Sequence, residues 1–303
     1  MNTFSHGKLL ITGEYVVLDG ALALSIPTKF GQSLSTEGNN ESRLNWKNFD
    51  ENGNIWYDTS IDVSTLKTIN KGDLDNPITQ KLIQILKATK NLNPDFLTTG
   101  FDVKNTLTFP KNWGLGTSST LINNIANWAK VDAYELLELT FGGSGYDIAC
   151  AQNSTAITYK LLKNEDTKRH VKQINFNPAY KDCLYFVYLN KKQNSREGIA
   201  HYKANAVNIP NAVLAISKLT SEIINSNTLS DFESLISQHE SIISKVTQQV
   251  PIKEKLFSDF NGQIKSLGAW GGDFILVTSK ENPASYFSSK GFNTIVSYQN
   301  MLM

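Results

Sequence analysis

The residues best suited to chemistry lie in a short stretch rich in glycine and hydroxyl side chains. Residues 110–120 read PKNWGLGTSST, so Gly114 and Gly116 are followed at once by Thr117 and Ser118. Glycine allows a positive φ and a close approach to the backbone. The start of a helix adds unpaired N–H groups and the positive end of the helix dipole. The stretch therefore predicts a loop leading into a helix that binds an anion, usually phosphate; an ordinary glycine turn with a Thr117 or Ser118 cap is the alternative.

Two further glycine clusters occur later in the chain. Residues 141–151 read FGGSGYDIACA, and residues 264–274 read IKSLGAWGGDF. The first predicts another junction between a loop and a helix, in which Asp147 is either a helix cap or a functional carboxylate. The second leads into a predicted strand over residues 274–278. Three such clusters offer the several N–H donors that a nucleotide phosphate chain requires.

One lysine and one glutamate near the N-terminus are bracketed by glycines. Residues 7–20 read GKLLITGEYVVLDG. Lys8 is predicted at the start of a buried strand, and Glu14 in a break between two strands, with Asp19-Gly20 as a hairpin turn. Both charges are either solvated surface groups or, because glycine in a strand marks crowded backbone, parts of a site.

The composition is typical of a soluble globular protein in a reducing compartment. The chain has 303 residues, of which 40% are hydrophobic and 19% charged, and its net charge is +1. A chain so close to neutral is not expected to bind nucleic acid or an anionic membrane as its main partner. Its two cysteines cannot form a disulfide framework or a structural zinc site. The N-terminus lacks a signal peptide and no apolar run could span a bilayer, so we predict a cytoplasmic location.

Turn and capping signals mark the predicted elements. Asn52-Gly53 predicts an exposed hairpin, and Asn76-Pro77 predicts the start of a helix. The sequence SDFE at residues 230–233 is a capping box that predicts another helix, on which His239 is expected to be a surface residue.

The second half of the chain is predicted to form its own domain. A polar stretch near residue 165 suggests a boundary between domains of residues 1–165 and 166–303. The apolar strand predicted at residues 184–189 is followed by Lys191, Lys192 and Arg196. These cations form either a solvated turn or a loop that binds an anionic substrate.

Three motifs in combination resemble those of the GHMP kinases, the family of galactokinase, homoserine kinase, mevalonate kinase and phosphomevalonate kinase. GLGTSS at residues 114–119 is similar to the GLGSSA phosphate loop of that family, GKLLITGEY at residues 7–15 to its N-terminal motif, and GAWGGD at residues 268–273 to its C-terminal glycine motif. The P-loop consensus and the dinucleotide fingerprint are both absent. The resemblance implies a two-domain α+β fold, in which the N-terminal domain binds ATP and is like domain 2 of ribosomal protein S5, and the C-terminal domain is ferredoxin-like.

Within the family, GSGYD at residues 143–147 and GGD at residues 271–273 are most similar to the phosphomevalonate kinase pattern, with mevalonate kinase next. Trp270 replaces a usual glycine and is expected to narrow the third loop. The resemblance implies transfer of the γ-phosphoryl group of ATP to a small anionic alcohol or phosphate, by a monomer or homodimer. A nucleotide or metabolite sensor without turnover is one alternative, and an interaction protein whose glycine loops are only turns is the other.

The resemblance also implies roles for single residues. Asp147 is expected to orient and deprotonate the acceptor, and Lys8 to offset developing negative charge. The nucleotide phosphates are expected on Gly114, Leu115, Gly116, Thr117, Ser118 and Ser119. Mg²⁺ is expected on Ser118 and a glutamate, either Glu138 or Glu135. The acceptor is expected to contact Glu14, Ser144, Gly145, Lys191, Lys192, Arg196, Gly271, Gly272 and Asp273.

Overall fold

A computed structural model of the chain describes residues 1–162 and 168–303, and these residues adopt the predicted α+β class of fold. The predicted domain boundary between residues 165 and 166 lies outside the described residues. The strands are β1 (Asn2–Leu10), β2 (Ala23–Asn39), β3 (Arg43–Phe49), β4 (Ile55–Asp62), β5 (Lys67–Thr68), β6 (Gly100–Leu107), β7 (Ile157–Leu161), β8 (Arg169–Gln173), β9 (Leu184–Tyr188), β10 (Ile264–Ser266), β11 (Phe274–Thr278) and β12 (Ile295–Ser297). The helices are α1 (Pro77–Leu92), α2 (Thr117–Ala129), α3 (Ala133–Thr140), α4 (Tyr146–Ala151), α5 (Ser195–Asn205), α6 (Ile209–Ile224), α7 (Leu229–Thr247), α8 (Ile252–Leu256), α9 (Ala284–Ser289) and α10 (Tyr298–Met301).

Contacts within the chain define two compact units, and each is assembled from separate stretches of sequence. The first unit comprises Met1–Gly7, Phe30–Lys111 and Leu115–Gln152. The second unit comprises Lys8–Lys29, Asn112–Gly114 and Asn153–Met303. This division follows a different course from the predicted domains, because residues 8–29 and 112–114 belong to the unit that contains the C-terminal half.

In the first unit the strands lie in the order β5-β4-β3-β6-β2, and residues 32–39 of β2 take part. β3 and β6 are parallel, whereas the other neighbours are antiparallel. Side chains of β3 alternate between buried and more exposed positions, as expected for a sheet with one face on a core. The predicted hairpin is confirmed, because Asp50 Oδ1 accepts the N–H groups of Asn52 (3.0 Å) and Asn54 (2.8 Å) between β3 and β4.

Helices α1, α2 and α3 pack on this sheet through their apolar faces. The start of α1 is as predicted: Pro77 is its first residue, and the Asn76 side chain accepts the Ile78 N–H at 2.9 Å. Buried side chains from the strands and the three helices form one apolar cluster, which includes Leu34, Leu44, Trp46, Leu82, Ile85, Ile122, Ile125 and Leu136. This cluster fixes α2, and with it the segment that precedes α2. Among the described residues, no helix is both long enough and apolar enough to cross a bilayer.

The second unit contains an antiparallel sheet with the strand order β10-β11-β9-β12. In the same unit, residues 23–25 of β2 pair with β7, and β7 pairs with β8. Helices α6 and α7 bury their apolar faces in a cluster that includes Val16, Ile216, Leu219, Ile243 and Trp270. The segment after β1 is thereby tied to α6 and α7.

The segment after β1 does not form the predicted second strand and hairpin. Val16–Asp19 is a 3₁₀ helix that ends at Gly20. The backbone leaves the extended path earlier, at Gly13 (φ +92°) and Tyr15 (φ +62°). A Cβ atom at Gly13 would lie 2.7 Å from the Cβ of Ala23, so only glycine fits there.

The start of α7 also differs from the prediction, by two residues. The predicted cap was Ser230, but the helix begins at Leu229 with Thr228 as its N-cap. Thr228 Oγ1 accepts the N–H of Asp231 at 3.1 Å. Sequence pattern places a helix reliably but leaves its ends uncertain by a few residues.

Removal of the α7 cap tests this assignment. Thr228→Ala is expected to lower the free energy of unfolding by about 1 kcal/mol, because the Asp231 N–H loses its acceptor. Ser230→Ala is the matched control and is expected to change it by less than about 0.5 kcal/mol, because Ser230 is exposed. Urea unfolding measures both, and a larger loss for Ser230→Ala would contradict the cap.

Candidate active site

The start of α2 presents backbone donors that the helix itself does not use. Gly116 (φ +95°) is the N-cap and Thr117 the first helical residue, so the alternative in which Thr117 or Ser118 caps the helix does not hold. The first bond of the helix joins the Thr120 N–H to Gly116 O at 3.0 Å. The N–H groups of Thr117, Ser118 and Ser119 therefore precede the helical ladder. A glycine cap has no side chain to accept from them, and such donors suit a phosphate oxygen.

The hydroxyl groups that follow this cap have two kinds of surroundings. Ser119 Oγ donates to the carbonyl oxygen of the cap at 2.9 Å, and Thr120 Oγ1 donates to Gln32 Oε1 at 2.5 Å. Both side chains are buried, whereas Ser118 is exposed. The Ser119 side chain therefore stabilises the loop. Of the groups of Ser119, only the main-chain N–H remains a candidate for the predicted nucleotide contact.

A buried polar network holds α2 in place. Ser5 Oγ donates to Asn124 Oδ1 at 2.8 Å and accepts from Asn123 Nδ2 at 2.9 Å. Asn124 Nδ2 in turn donates to the main-chain oxygen of Gln32 at 2.9 Å. Because buried polar groups are costly unless they are paired, these bonds select one position for the helix. The sequence signal for this network is the pair of asparagines inside an otherwise apolar helix, and sequence reasoning missed it.

Asp147 lies at the start of α4, as predicted, but it is not the cap. The N-cap is Gly145 (φ +87°), and Asp147 occupies the first turn with its side chain half-buried. Its Oδ1 accepts the N–H of Ile148 at 3.1 Å. The neighbouring Ser144 and Gly145 are buried. A helix start is a favourable place for a negative charge, and the catalytic role of Asp147 stays a prediction.

The residues predicted to hold Mg²⁺ have suitable chemistry. Ser118 is exposed in the first turn of α2, and Glu135 and Glu138 are exposed on α3. Hydroxyl and carboxylate oxygens are ligands of Mg²⁺, which usually takes one or two carboxylates together with phosphate and water. Within residues 1–162 and 168–303, no group of three or more His, Cys, Asp and Glu forms a metal site. One hydroxyl and one carboxylate fit an ion that also takes phosphate oxygens, and the assignment of Mg²⁺ to these residues stays a prediction.

In the second unit, Lys8 and Asp273 lie beside Gly114. Lys8 Nζ donates to Gly114 O at 3.1 Å. Gly114 has φ +71°, and a Cβ atom on it would lie 2.2 Å from Asp273 Cγ. Only glycine therefore allows the Asp273 carboxylate to come so close to this part of the loop.

The Asp273 carboxylate is itself held firmly. Its residue has φ +54°, which is unusual for a residue other than glycine, and its Oδ1 accepts the Gln193 N–H at 3.0 Å. Burial raises the pKa of Asp273, and the charge of Lys8 acts in the opposite direction. A strained backbone together with a shifted pKa often marks a functional carboxylate.

The segment that bears Lys191 and Lys192, two of the predicted substrate cations, lies next to Asp273. The Asp273 N–H donates to Lys191 O at 2.7 Å, and a Cβ atom at Gly272 would lie only 2.6 Å from the same oxygen. Lys191, Lys192 and Arg196 are all exposed. Arg196 stands in the first turn of α5, a helix that the sequence did not predict. The segment that bears the two lysines is thus packed against the third glycine motif.

Aromatic side chains fix the segment before Gly114. Tyr188 Oη donates to Asn112 O at 2.9 Å. The ring of Trp113 meets that of Phe274 edge-on, with centroids 5.3 Å apart. Sequence reasoning missed these contacts, because each joins residues that are far apart in the chain.

Glu14 does not have the surroundings of a substrate ligand. The residue is 0% exposed, and its Oε1 accepts a hydrogen bond from Lys265 Nζ, which is equally buried. A carboxylate that is enclosed and paired in this way does not reach a bound molecule. The predicted substrate contact of Glu14 is therefore wrong, and its role lies within the second unit.

His239 is buried, not on the helix surface as predicted. It is 0% exposed, and its Nε2 accepts the Gly13 N–H at 3.0 Å while lying 3.4 Å from Glu14 Oε2. An accepting Nε2 carries no proton, so this imidazole is neutral. Burial lowers the pKa of His239 well below its usual value, which agrees with this hydrogen bond.

Glu240 completes a cluster of buried ionisable groups with Glu14, His239 and Lys265. Glu240 Oε1 lies 3.7 Å from Lys265 Nζ, and Glu240 Oε2 accepts from Ser266 Oγ at 3.2 Å. Burial raises the pKa of both Glu14 and Glu240 to about 7, although Lys265 acts in the opposite direction. Two carboxylates share one ammonium, so at least one of them holds its proton readily.

Trp270 does not narrow the third glycine loop. Its side chain is 4% exposed and packs in the apolar cluster of α6 and α7. The main-chain N–H of Trp270 donates to Tyr15 Oη at 2.9 Å, and the Tyr15 ring stacks on that of Tyr202 with centroids 5.5 Å apart. Trp270 therefore anchors the loop from inside the second unit.

Comparison with known proteins identifies the fold. No protein-family model matches the sequence, and no curated protein sequence matches it. Mevalonate kinase of Methanococcus jannaschii is 17% identical over 100% of this chain and 98% of its own, with a TM-score of 0.72. Phosphomevalonate kinase of Streptococcus pneumoniae, solved with phosphomevalonate and AMPPNP, is 16% identical over 98% of this chain and 99% of its own, with a TM-score of 0.72. Galactokinase of Lactococcus lactis, solved with galactose, is 12% identical over 98% of this chain and 92% of its own, with a TM-score of 0.64.

These similarities confirm the fold that the motifs predicted. The chain has the fold of the GHMP kinases over at least 98% of its length.

The buried cluster predicts an unusual dependence of stability on pH. A carboxyl with a pKa of about 7 in the fold and 4.5 when unfolded contributes stability that is complete below pH 4.5 and is lost as the pH rises through 7. Glu240→Gln removes one such group. Its free energy of unfolding is expected to rise relative to wild type by up to about 3 kcal/mol between pH 4.5 and 7.

Urea unfolding at several pH values measures this difference. His239 titrates in the opposite direction, but it is present in both proteins and cancels in the comparison. Glu281→Gln, at an exposed position, is the control and should show no such trend. A Glu240→Gln protein that loses stability relative to wild type as the pH rises would contradict the burial of a proton-binding carboxyl.

Proposed function

We propose that this chain is an ATP-dependent kinase that phosphorylates a small anionic metabolite. The observation that carries the proposal is the start of α2, where a glycine cap leaves the N–H groups of Thr117, Ser118 and Ser119 ahead of the helical ladder. Such donors, at the positive end of a helix dipole, suit the phosphates of a nucleotide. The shared fold supports the proposal, and so does the ATP analogue in the Streptococcus pneumoniae kinase complex.

The reaction needs positioning and charge stabilisation more than covalent chemistry. An oxygen of the acceptor forms a bond to the γ-phosphorus, and the bond from that phosphorus to the oxygen of the leaving ADP breaks. Asp147 orients the attacking oxygen and takes its proton when that oxygen is a hydroxyl or a protonated phosphate. Lys8 stabilises the charge that develops on the phosphoryl oxygens. The charge of Lys8 acts on Asp273 against the effect of burial, so the two groups attract each other beside Gly114.

Ser118, with Glu138 or Glu135, would hold Mg²⁺, whose charge neutralises the nucleotide phosphates when it is bound. The exposed position of these three side chains on α2 and α3 supports that assignment.

Phosphomevalonate is the acceptor that we propose first. The motif at residues 143–147 favours it, and the exposed cations Lys191, Lys192 and Arg196 suit a substrate with both a phosphate and a carboxylate. Mevalonate is the second candidate, because the mevalonate kinase of Methanococcus jannaschii has the same TM-score of 0.72 as the phosphomevalonate kinase of Streptococcus pneumoniae.

Coupled measurement of ADP release tests the proposal. The panel contains MgATP with mevalonate, phosphomevalonate, diphosphomevalonate, homoserine or simple sugars. We expect the highest kcat/KM with phosphomevalonate. Turnover with mevalonate alone would establish the second candidate. MgATP binding without ADP release for any acceptor would contradict an enzymatic function and agree with a sensor.

Asp147→Asn tests the role of the proposed base. Its kcat is expected to fall by about 10²–10⁴-fold, because an amide neither orients the acceptor as a carboxylate does nor takes a proton from it. The thermal shift with MgATP should persist, since the helix start of α2 is unchanged. Asp95→Asn, at an exposed position, is the control and should keep wild-type turnover. Near-normal turnover of Asp147→Asn would remove Asp147 from the mechanism.

A further inference from the structure

We propose that the buried ion pair of Glu14 and Lys265 is a positioning device, which fixes the turn of residues 13–15 to the glycine segment of residues 268–273 and thereby places Lys8 and Asp273. The inference rests on the proposed kinase function for its kinetic consequence. Its structural part stands on the contacts of the second unit alone.

The turn has one strained and closely packed conformation. Tyr15 adopts φ +62°, and Gly13 adopts φ +92° with Ala23 against its Cα. A residue other than glycine holds such a φ only where its surroundings enforce it. Here the Gly13 N–H is held by His239, and the Tyr15 ring by Tyr202.

Two successive residues of the turn form hydrogen bonds to residues 265–270, at the start of the third glycine motif and just before it. Glu14 binds Lys265, the middle residue of β10, which ends just before the segment of residues 268–273. Tyr15 Oη accepts a hydrogen bond from the main-chain N–H of Trp270 at 2.9 Å, and Trp270 lies within the segment. The turn is therefore bonded both to a residue before the glycine motif and to a residue within it.

The far end of the same segment lies beside Gly114 and Lys8 within the second unit. Asp273 lies against Gly114, and Gly114 O accepts from Lys8 Nζ at 3.1 Å. Lys8 is in β1, which is followed directly by the turn of residues 13–15. The Glu14–Lys265 pair thus ties together the two chain segments that deliver Lys8 and Asp273.

An ion pair suits this task because it defines a single arrangement. A buried pair adds little net stability, since desolvation offsets the attraction, but a charge in this place has few partners to choose from. Lys265 Nζ has Glu14 as its close partner and Glu240 at 3.7 Å. Loss of the Glu14 charge therefore leaves the ammonium a second carboxylate, and Glu14→Gln is expected to fold.

Glu240→Gln is the matched control for Glu14→Gln. Both changes replace a buried carboxylate of the same cluster by an amide of similar size. Glu240 is on α7 and its hydrogen bond is to Ser266, whereas Glu14 belongs to the turn of residues 13–15. A purely structural role of the cluster predicts similar effects for the two variants, and a positioning role predicts different ones.

Hydrogen exchange and steady-state kinetics on the full-length protein decide between them. We expect Glu14→Gln to speed exchange of the amides in residues 268–273, including those of Trp270 and Asp273, and Glu240→Gln to leave them unchanged. Glu14→Gln is also expected to lower kcat by about tenfold or more, because a small misplacement of a catalytic group is costly, with KM for ATP changed by less than about threefold.

The two readouts separate this inference from the proposed function. A wild-type protein without turnover would refute the kinase proposal, and hydrogen exchange would still decide whether the pair fixes the segment. Equal effects of both variants on exchange and kcat would overturn the positioning role. Unchanged exchange in Glu14→Gln would overturn it as well.

Discussion

The glycine cap of α2 is the constraint on which the proposed chemistry depends. A serine or threonine cap would accept hydrogen bonds from the first helical N–H groups, and those donors would then be unavailable to a phosphate. Gly116 leaves them ahead of the ladder, while Ser119 and Thr120 turn their hydroxyls inward to stabilise the loop. The Asn123 and Asn124 side chains fix the helix through their hydrogen bonds to Ser5 and Gln32. The donors therefore have a fixed position before any ligand binds. Preorganised donors of this kind need no reorganisation during the reaction.

The second unit supplies a charge pair with a similarly fixed position. Asp273 is held in a left-handed conformation between Gly114 and Gln193, and Lys8 donates to Gly114 O. Each glycine that matters here is explained by a close approach: Gly114 to the Asp273 carboxylate, and Gly272 to Lys191 O. Within the third glycine motif, Gly272 therefore allows close packing against the segment that bears Lys191. Its tryptophan belongs to that packing, since the Trp270 side chain lies in the core.

Local signals in the sequence were sufficient for much of the fold. The Asn52-Gly53 hairpin, the start of α1 at Asn76-Pro77 and the glycine junctions at α2 and α4 all depend on neighbouring residues, and the structure has each of them. The motif resemblance gave the fold as a whole. Val16–Asp19 was predicted wrongly because β-branched residues favour a strand, whereas the preceding positive φ values of Gly13 and Tyr15 decide the path.

Residues whose environment comes from distant parts of the chain could not be predicted. The hydrogen bond between Glu14 and Lys265 joins residues that are 251 positions apart, and the one between His239 and Gly13 joins residues 226 positions apart. No periodicity or spacing encodes such a partner, so Glu14 was expected to bind substrate and His239 to be a surface residue. Helix α5 was missed because its sequence is polar and only two of its residues, Gly198 and Tyr202, are buried.

A crystal structure with a non-hydrolysable ATP analogue and Mg²⁺ tests the central claim most directly. The account predicts phosphate oxygens within about 3 Å of the N–H groups of Thr117, Ser118 and Ser119. A nucleotide bound elsewhere, with those N–H groups in contact with water alone, would contradict it.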